Sequence, residues 1–553
     1  MTEKIYRKII KNRKNKIIFI IVLTLLASLP VFIFPGIKKG DDVFFHLSRI
    51  SAIRDNIKNL QIFKGIYPGY FNGYGYANGL FYPDIFLYVP ALLTTLGMNV
   101  IISYKIFLIL INLFTILSIF IAIKNISNND YATILGSILY AFAPYRLVDM
   151  YERGALGETL AFIFIPIIIY GMYEIIFRDK RKYYILVIGM TGLILSHMVS
   201  TYIITILLII YCIFNTKQLF KEKRILYLLL SATITLLITS FFIVPMIEQM
   251  LSQKFYYNNT SNIPEFVLSN RTVPIYLLFI GLPNFRRAFF KKYWVPSGIG
   301  IIFIYIIIKK IKHKEINDKF INQSVIISII TLLLTTLTPF WKLNIVKKIL
   351  FPIQFPWRLY MIPTVLLTIS GSIILEKTNK IKTIRNIFIM STASVLSMFA
   401  ICIIPKRITE VKEYDASYAE YLPKEIDKEF IKQRELIISN NPLEYTLKQI
   451  GTDIEISFKQ NDMNTEIELP LIYYKGYESK MENKKLETFK TKNGLVGIKI
   501  NDIKEGNIKT SYKGTIISKT TKIISLITLI SFVYITKERN KIWNRKDTIY
   551  YHL

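Results

Sequence analysis

Apolar runs of about 18 residues or more recur along this chain, and a run of that length is what a helix needs to cross a bilayer. The first, from Ile17 to Pro35, follows the basic stretch RKIIKNRKNK. No small-residue cleavage site comes after it, so it reads as a retained span rather than a removed signal peptide. With 553 residues, 52% hydrophobic and 14% aromatic, the composition is that of an all-α polytopic membrane bundle rather than a soluble multidomain protein. Spans are expected near 17–35, 103–123, 131–145, 159–177, 183–196, 199–215, 225–247, 295–310, 320–338, 358–376, 385–405 and 518–536.

A net charge of +32 raises the question of a nucleic-acid partner. The basic residues, however, cluster at the ends of apolar runs, as the positive-inside rule requires, and no nucleic acid is expected. The flanks FRDKRKYY, KQLFKEKR, IKKIKHKEINDK and KTNKIKTIR and the tail KERNKIWNRK are therefore placed in the cytoplasm, with both termini. The 80–98 run holds Pro83 and Pro90 and reads better as a helix lying at or dipping into the outer leaflet than as a crossing. Cys212 and Cys402 both sit inside apolar runs, which supports neither a disulfide framework nor a thiolate metal site.

This topology puts the unusual polar clusters on one face, outside the cytoplasm: Asp41 to Arg49, Arg146 to Glu158, His197, Glu248 and the FPIQFPWR segment ending at Arg358. A charge at the bilayer centre costs about 2.5–3.5 kcal/mol on insertion scales, so ionisable groups near the membrane are candidates for function. Near Lys406 the chain turns polar. Alternating stretches such as TDIEISFKQ, TEIELPLIYY, GLVGIKI and GNIKTSYKG predict strands, and YAEYLPKEIDKEFIKQREL predicts a helical portion before them. The expected organisation is a transmembrane domain over 1–405 with a first external loop at 36–102, a small extracytoplasmic β-rich domain over 406–517, and a final span with a basic tail over 518–553.

The stretch GDDVFFHLSRI carries the densest chemistry. If a helix starts at Asp42, His46 and Arg49 follow at i+4 and i+7 on one face. Either Asp41 or Asp42 suits a helix N-cap, which accounts for one carboxylate and leaves the other. In YRLVDMYERGALGE, Arg146, Asp149 and Arg153 also share a helical face, with Gly154 and Gly157 permitting a turn before Glu158. That set reads either as ion pairs locking helices together or as a phosphate- or acceptor-binding loop. Arg358 begins a span, where snorkelling to the headgroups competes with a binding role. His197 lies at the apex of a short hairpin and is either a packing hydrogen-bond donor or a contact to substrate.

The strings GDDVFFHLSRI, NGLFYPDIF, YAFAPYRLVDMYERGALGETLAFIFIP, LSH, QFPWR and LPLIYYKGY, in this order from about Gly40 to Thr515, resemble the bacterial YfhO-like family, whose relatives are often labelled 6-pyruvoyl-tetrahydropterin synthase-related. An acidic residue or pair in the first external loop is also the mark of the GT-C class of membrane glycosyltransferases. The resemblance implies a GT-C-like bundle using a polyprenyl-phosphate sugar, usually with inversion, at the outer face of a bacterial plasma membrane. By that resemblance Asp42 matches the acidic position, with Asp41 as the extra carboxylate. Some GT-C enzymes hold a divalent cation on acidic loop residues. Asp41, Asp42 and His46 offer fewer oxygens than a hard cation prefers, so no metal is assigned.

Inverting transfer needs a base for the acceptor hydroxyl, the role given to Asp42, and positive charge near the departing lipid phosphate. Arg49, Arg146, Arg153 and Arg358 are the candidates for that charge, with His46, Asp149, Glu158 and His197 as further substrate contacts. A pterin synthase with a three-histidine zinc site is excluded, since the four histidines are His46, His197, His313 and His552 and the last two are placed in the cytoplasm. GYFNGYGYANG lacks the Lys-Ser/Thr ending of a nucleotide cradle; its Tyr70, Phe71, Tyr74 and Tyr76 either stack on sugars or anchor the loop at the interface. The acceptor is expected to be an envelope glycan or a teichoic-acid-like polymer, and Tyr473, Tyr474 and Tyr477 of the β domain read either as an aromatic patch for it or as edge-strand packing against the bundle. Two other classes stay open: a lipid or solute transporter or flippase, for which buried midplane charges and two matching halves are missing, and a non-catalytic envelope scaffold.

Overall fold

The computed structural model describes residues 12–33, 35–256, 267–279, 295–296, 298–378, 407–409, 419–427, 429, 431, 438–460, 464–482 and 484–550. Six helices are long and apolar enough to cross a membrane: Val100–Ser127, Leu156–Phe177, Thr216–Ser252, Lys319–Thr336, Pro356–Thr378 and Ile516–Glu538. Each coincides with an expected span, and together they make the chain a multi-pass membrane protein.

Other expected spans are shorter helices. Arg13–Ala27 has 15 residues, Asp130–Ala141 12, Tyr184–Ile194 11, Met198–Phe214 17 and Ile301–Lys312 12, against the roughly 20 that a straight crossing takes. The causes are local: the chain breaks before Pro144 and again at Ser196–His197. The 80–98 segment is likewise broken, into Asn78–Phe81, Ile85–Leu87 and Tyr88–Thr95. The expected span at 385–405, with Cys402, lies outside the described residues.

The chain divides into two compact units that do not follow sequence order. One comprises Met1–Phe44, Tyr104–Thr235 and Ser261–Glu410; the other comprises Phe45–Ser103, Leu236–Thr260 and Val411–Leu553. The first unit is helical around Met361–Thr378, against which Asp130–Ala141, Ile301–Lys312 and Lys319–Thr336 pack. The hydroxyls of Thr368, Ser370 and Ser372 on that central helix are buried and donate to carbonyls one turn back, which removes the cost of burying them. Leu156–Phe177 packs along Tyr184–Ile194. A two-stranded ribbon pairs β1 (Ile37–Lys38) with β2 (Arg407–Ile408).

The second unit contains the β-rich region the alternating sequence predicts. Its strands are β3 (Ile438–Ser439), β4 (Leu443–Ile450), β5 (Asp453–Gln460), β6 (Asn464–Ile472), β7 (Tyr477–Met481), β8 (Lys484–Leu486), β9 (Thr488–Lys490), β10 (Leu495–Asn501) and β11 (Glu505–Tyr512). They form two antiparallel sheets, ordered β3-β6-β10-β9 and β4-β5-β11-β7-β8. The alternation works as expected: Ile454, Ile456 and Phe458 are buried while Ser457 and Lys459 between or beside them are exposed. The segment expected to be helical before the strands is turns and bends over 419–427.

Residues 60–84 belong to this same unit and are tied to its strands. Gln61 Nε2 donates to the Ile450 carbonyl at 3.0 Å, Lys64 pairs with Asp453 at 2.7 Å, and Ile472 N donates to the Tyr74 carbonyl at 2.9 Å. Tyr70, Tyr74 and Tyr76 are accordingly core residues, each 1% exposed, and neither face lipid nor offer a ring to a sugar. Tyr474 and Tyr477 are buried too, leaving Tyr473 half-buried. The last helix is held by Ser525, whose hydroxyl bonds Ser240 at 2.9 Å and accepts from Phe241 N at 2.9 Å.

Candidate active site

The GDD stretch lies where β1 ends, against the backbone of Glu152 and Arg153. Asp42 N donates to the Arg153 carbonyl at 2.9 Å. Gly40 is needed for this approach, because a Cβ there would stand 2.6 Å from the Arg153 oxygen and 2.9 Å from that of Glu152. Gly154 closes the contact from the other side: its φ is +67°, and a Cβ would meet Val43 Cγ2 at 2.1 Å. Gly40→Ala is therefore expected to cost about 1–3 kcal/mol by overpacking, read as a lowered unfolding temperature of the detergent-solubilised protein. Asp41 is exposed and Asp42 half-buried. Lys38, just before them, pairs with Glu152 at 2.7 Å.

Beneath this loop the chain makes a π-helical turn, Val148–Arg153, a wide geometry often found at functional sites. It brings Asp149 and Arg153 together at 2.5 Å. Arg153 Nη1 also donates to Glu158 Oε2 at 2.9 Å, and Arg358 Nε lies 3.3 Å from the same oxygen. Tyr145 donates its hydroxyl to the other Glu158 oxygen. Asp149 and Glu158 are wholly buried. The Trp357 ring covers Arg153 at 4.6 Å, and Phe355 both stacks on Trp357 at 4.8 Å and approaches the Arg358 guanidinium at 5.0 Å.

Burial, and then the neighbouring Glu158, push Asp149 well above the usual carboxylate range against the pull of Arg153. Burial works against the charge on Arg153, but Asp149 and Glu158 outweigh it and hold the guanidinium protonated. Two carboxyl groups, Asp149 and Glu158, and two guanidiniums, Arg153 and Arg358, are thus gathered in one buried site.

Arg146 is fully buried and serves a different neighbourhood. Its guanidinium donates to Asn112 Oδ1 at 2.7 Å, to the Tyr140 carbonyl at 3.1 Å and to the Ala141 carbonyl. Asn112 extends the network to Ser28 and Tyr151.

His197 caps the Met198–Phe214 helix, its Nδ1 meeting Ser200 Oγ at 2.7 Å. Burial first, and then the positive charge of Arg358, pull it down to about 3 from an ordinary 6.5, against the attraction of Glu158. The unfolded chain therefore binds a proton that the folded one refuses between those values. Stability should fall as pH drops from about 6.5 toward 3, and His197→Asn, which retains an N-cap side chain, should flatten that slope in pH-dependent thermal melts.

His46 and Arg49 lie in the other unit, on the helix Val43–Lys58. Arg49 Nη1 is 3.4 Å from His46 Nδ1, its Nη2 donates to the Pro83 carbonyl at 2.8 Å, and it lies 4.4 Å over the Tyr82 ring. Nearby, the Tyr67 hydroxyl donates to Asp84. Among the described residues no group of three or more His, Cys, Asp or Glu side chains is placed to hold a metal ion.

Sequence reasoning passed over Tyr145, Trp357, Lys38 with Glu152, and the Tyr67–Asp84 pair. Two of these carried a readable signal: Lys38 stands two residues before GDD, and Asp84 is a lone acid in the otherwise apolar FYPDIF. Beside the loop runs a mainly apolar cleft of ≈ 430 Å³ including its open mouth, lined among others by Pro30, Val31, Val43, Tyr104, Leu108 and Met150.

Comparison with known proteins finds an uncharacterized protein of Lactococcus lactis subsp. cremoris (strain MG1363), 23% identical over 356 residues, a stretch covering 62% of this chain and 54% of that protein. The chain thus spans about half the length of this curated relative. Among solved structures it is similar to the cryo-EM structure of the arabinofuranosyltransferase AftD from mycobacteria, with a TM-score of 0.42 and 11% identity over 70% of this chain and 27% of that one. The model of the family of unknown function DUF6541 matches residues 17–296, just over half of the chain, and the chain belongs to that family.

Proposed function

We propose that this chain is a GT-C-type membrane glycosyltransferase that moves a sugar from a polyprenyl-phosphate donor to an extracytoplasmic envelope glycan. The observation that carries the reading is the seating of the Asp41–Asp42 loop, through the Asp42 N to Arg153 O bond of 2.9 Å, on the buried cluster that holds the Arg153 and Arg358 guanidiniums. A carboxylate able to take a proton and a cationic patch able to receive a leaving phosphate are the two elements an inverting transfer requires. The GT-C- and YfhO-like motif order supports the same assignment.

In this reading the Asp42 carboxylate takes the proton from the acceptor hydroxyl as its oxygen bonds to the anomeric carbon. The bond from that carbon to the phosphate oxygen breaks, and the lipid phosphate leaves with the electron pair. Asp41 adds negative charge toward the acceptor side. Arg153 and Arg358 stabilise the phosphate, Asp149, Glu158 and His197 position them, and Arg146 holds the turn that carries Arg153. The chain crosses the plasma membrane twelve times with both termini in the cytoplasm.

The test supplies the purified chain in lipid nanodiscs with a panel of polyprenyl-phosphate sugars labelled in the sugar, with and without a teichoic-acid acceptor. Label passing to acceptor or water is expected from at least one donor. No release from any donor would remove the enzymatic reading.

A further inference from the structure

Between the helices Lys319–Thr336 and Pro356–Thr378 the chain forms two short helices, Thr338–Lys342 and Asn344–Leu350. At 5 and 7 residues they are far too short to span. Their outward face is amphipathic, with Leu343 53%, Ile345 67% and Ile349 53% exposed beside the exposed Lys342, Lys347 and Lys348. From Lys319 to Leu375 the sequence contains no Asp or Glu, and none of the three lysines has a carboxylate partner among the described residues.

The element is anchored rather than loose. Trp341 is fully buried and donates to the Leu334 carbonyl at 2.7 Å, Val346 points inward, and Tyr202 donates to the Ile349 carbonyl at 2.7 Å. Its far end hooks onto the cluster described above, since Arg358 Nη1 donates to Gln354 Oε1 at 2.6 Å and to the Ile353 carbonyl at 3.2 Å. The hairpin therefore lies at the same end of its unit as Glu158 and Arg153.

We propose that the 337–350 hairpin lies in the plane of the membrane interface and binds the phosphates of anionic phospholipids through Lys342, Lys347 and Lys348. Apolar side chains beside unneutralised ammonium groups match a headgroup boundary, where lipid tails take up the former and lipid phosphates pair with the latter. A soluble acidic partner would not account for three large aliphatic side chains projecting among the lysines. The inference is independent of the sugar-transfer reading, because it concerns lipid binding in the absence of donor and acceptor.

The full-length chain in a neutral detergent would be titrated with fluorescent phosphatidylglycerol and, separately, with fluorescent phosphatidylcholine. Tighter binding of phosphatidylglycerol is expected. The variant K342Q/K347Q/K348Q should weaken it by about 5-fold per lysine, on the order of 100-fold in all. A variant with the same charge change on the β-rich region, K459Q/K480Q/K484Q, should bind as wild type does. Equal affinity of the hairpin variant and wild type would overturn the proposal. So would an equal loss in the β-region variant, equal binding of the two lipids, or displacement of the probe by inorganic phosphate alone. Should the triple variant fail to fold, single variants Lys347→Gln and Lys348→Gln replace it, each expected to lose about 5-fold, with unchanged affinity in both counting against the proposal.

Discussion

Asp42→Asn is expected to slow sugar transfer by about 10²- to 10⁴-fold, the range a positioned base contributes, while leaving the fold intact. The reason lies in how Asp42 is held. Its anchoring contact is made by the backbone N, which donates to the Arg153 carbonyl at 2.9 Å, and the amide side chain keeps the volume of the carboxylate. The substitution removes the ability to take a proton while that backbone bond stays in place. Unfolding temperature should match wild type, and the loss should fall on kcat rather than KM, since the proton moves only as the new bond forms. Activity equal to wild type, once a donor has been identified, would show that another group is the base. Asp41→Asn should cost less, because Asp41 is the more exposed of the two.

Glu158→Ala is expected to cost about 3–5 kcal/mol of stability, the usual result of removing one partner of a buried ion pair. Glu158 is wholly buried and is the shared partner of three groups: Arg153 at 2.9 Å, Arg358 at 3.3 Å and the Tyr145 hydroxyl. Its loss would leave two guanidiniums in a dry site with only Asp149 nearby. Asp149→Asn is expected to behave differently and stay within about 1 kcal/mol of wild type, as neutral isosteric changes do. Burial and Glu158 already favour the neutral acid at position 149. Thermal melts of both variants in the same detergent decide the matter. Equal losses would mean that Asp149 carries a full charge and that the cluster is neutral overall.

Different features of this chain were legible to different degrees. The strands at 453–460 and 464–472 follow from period-two alternation, which needs no knowledge of the rest of the molecule. Six long spans are equally local. Helices such as Tyr184–Ile194, with 11 residues, were hidden because hydropathy records apolar length and not where the helix breaks. Arg146 and Arg153 look alike in sequence, and only the fold separates an arginine satisfied by carbonyls from one flanked by carboxylates. Of the face expected for residues 146, 149 and 153, Asp149 and Arg153 do meet, on a π-helical turn rather than an α-helix, while Arg146 turns to Asn112 and the Tyr140 carbonyl. The tyrosines of GYFNGYGYANG could not be assigned from their neighbours in sequence, since their burial depends on a partner region hundreds of residues away.

That separation bears on how the molecule is assembled. Gln61 and Ile450 are 389 positions apart, as are Lys64 and Asp453. During synthesis the segment around 60–84 leaves the ribosome long before the strands that will hydrogen-bond to it exist, and closing so large a loop carries an entropic cost before any of those bonds form. The early segment must wait in an incomplete state until nearly the whole polypeptide has been made. A chain cut short before the strands would therefore lose order near its beginning as well as at its end.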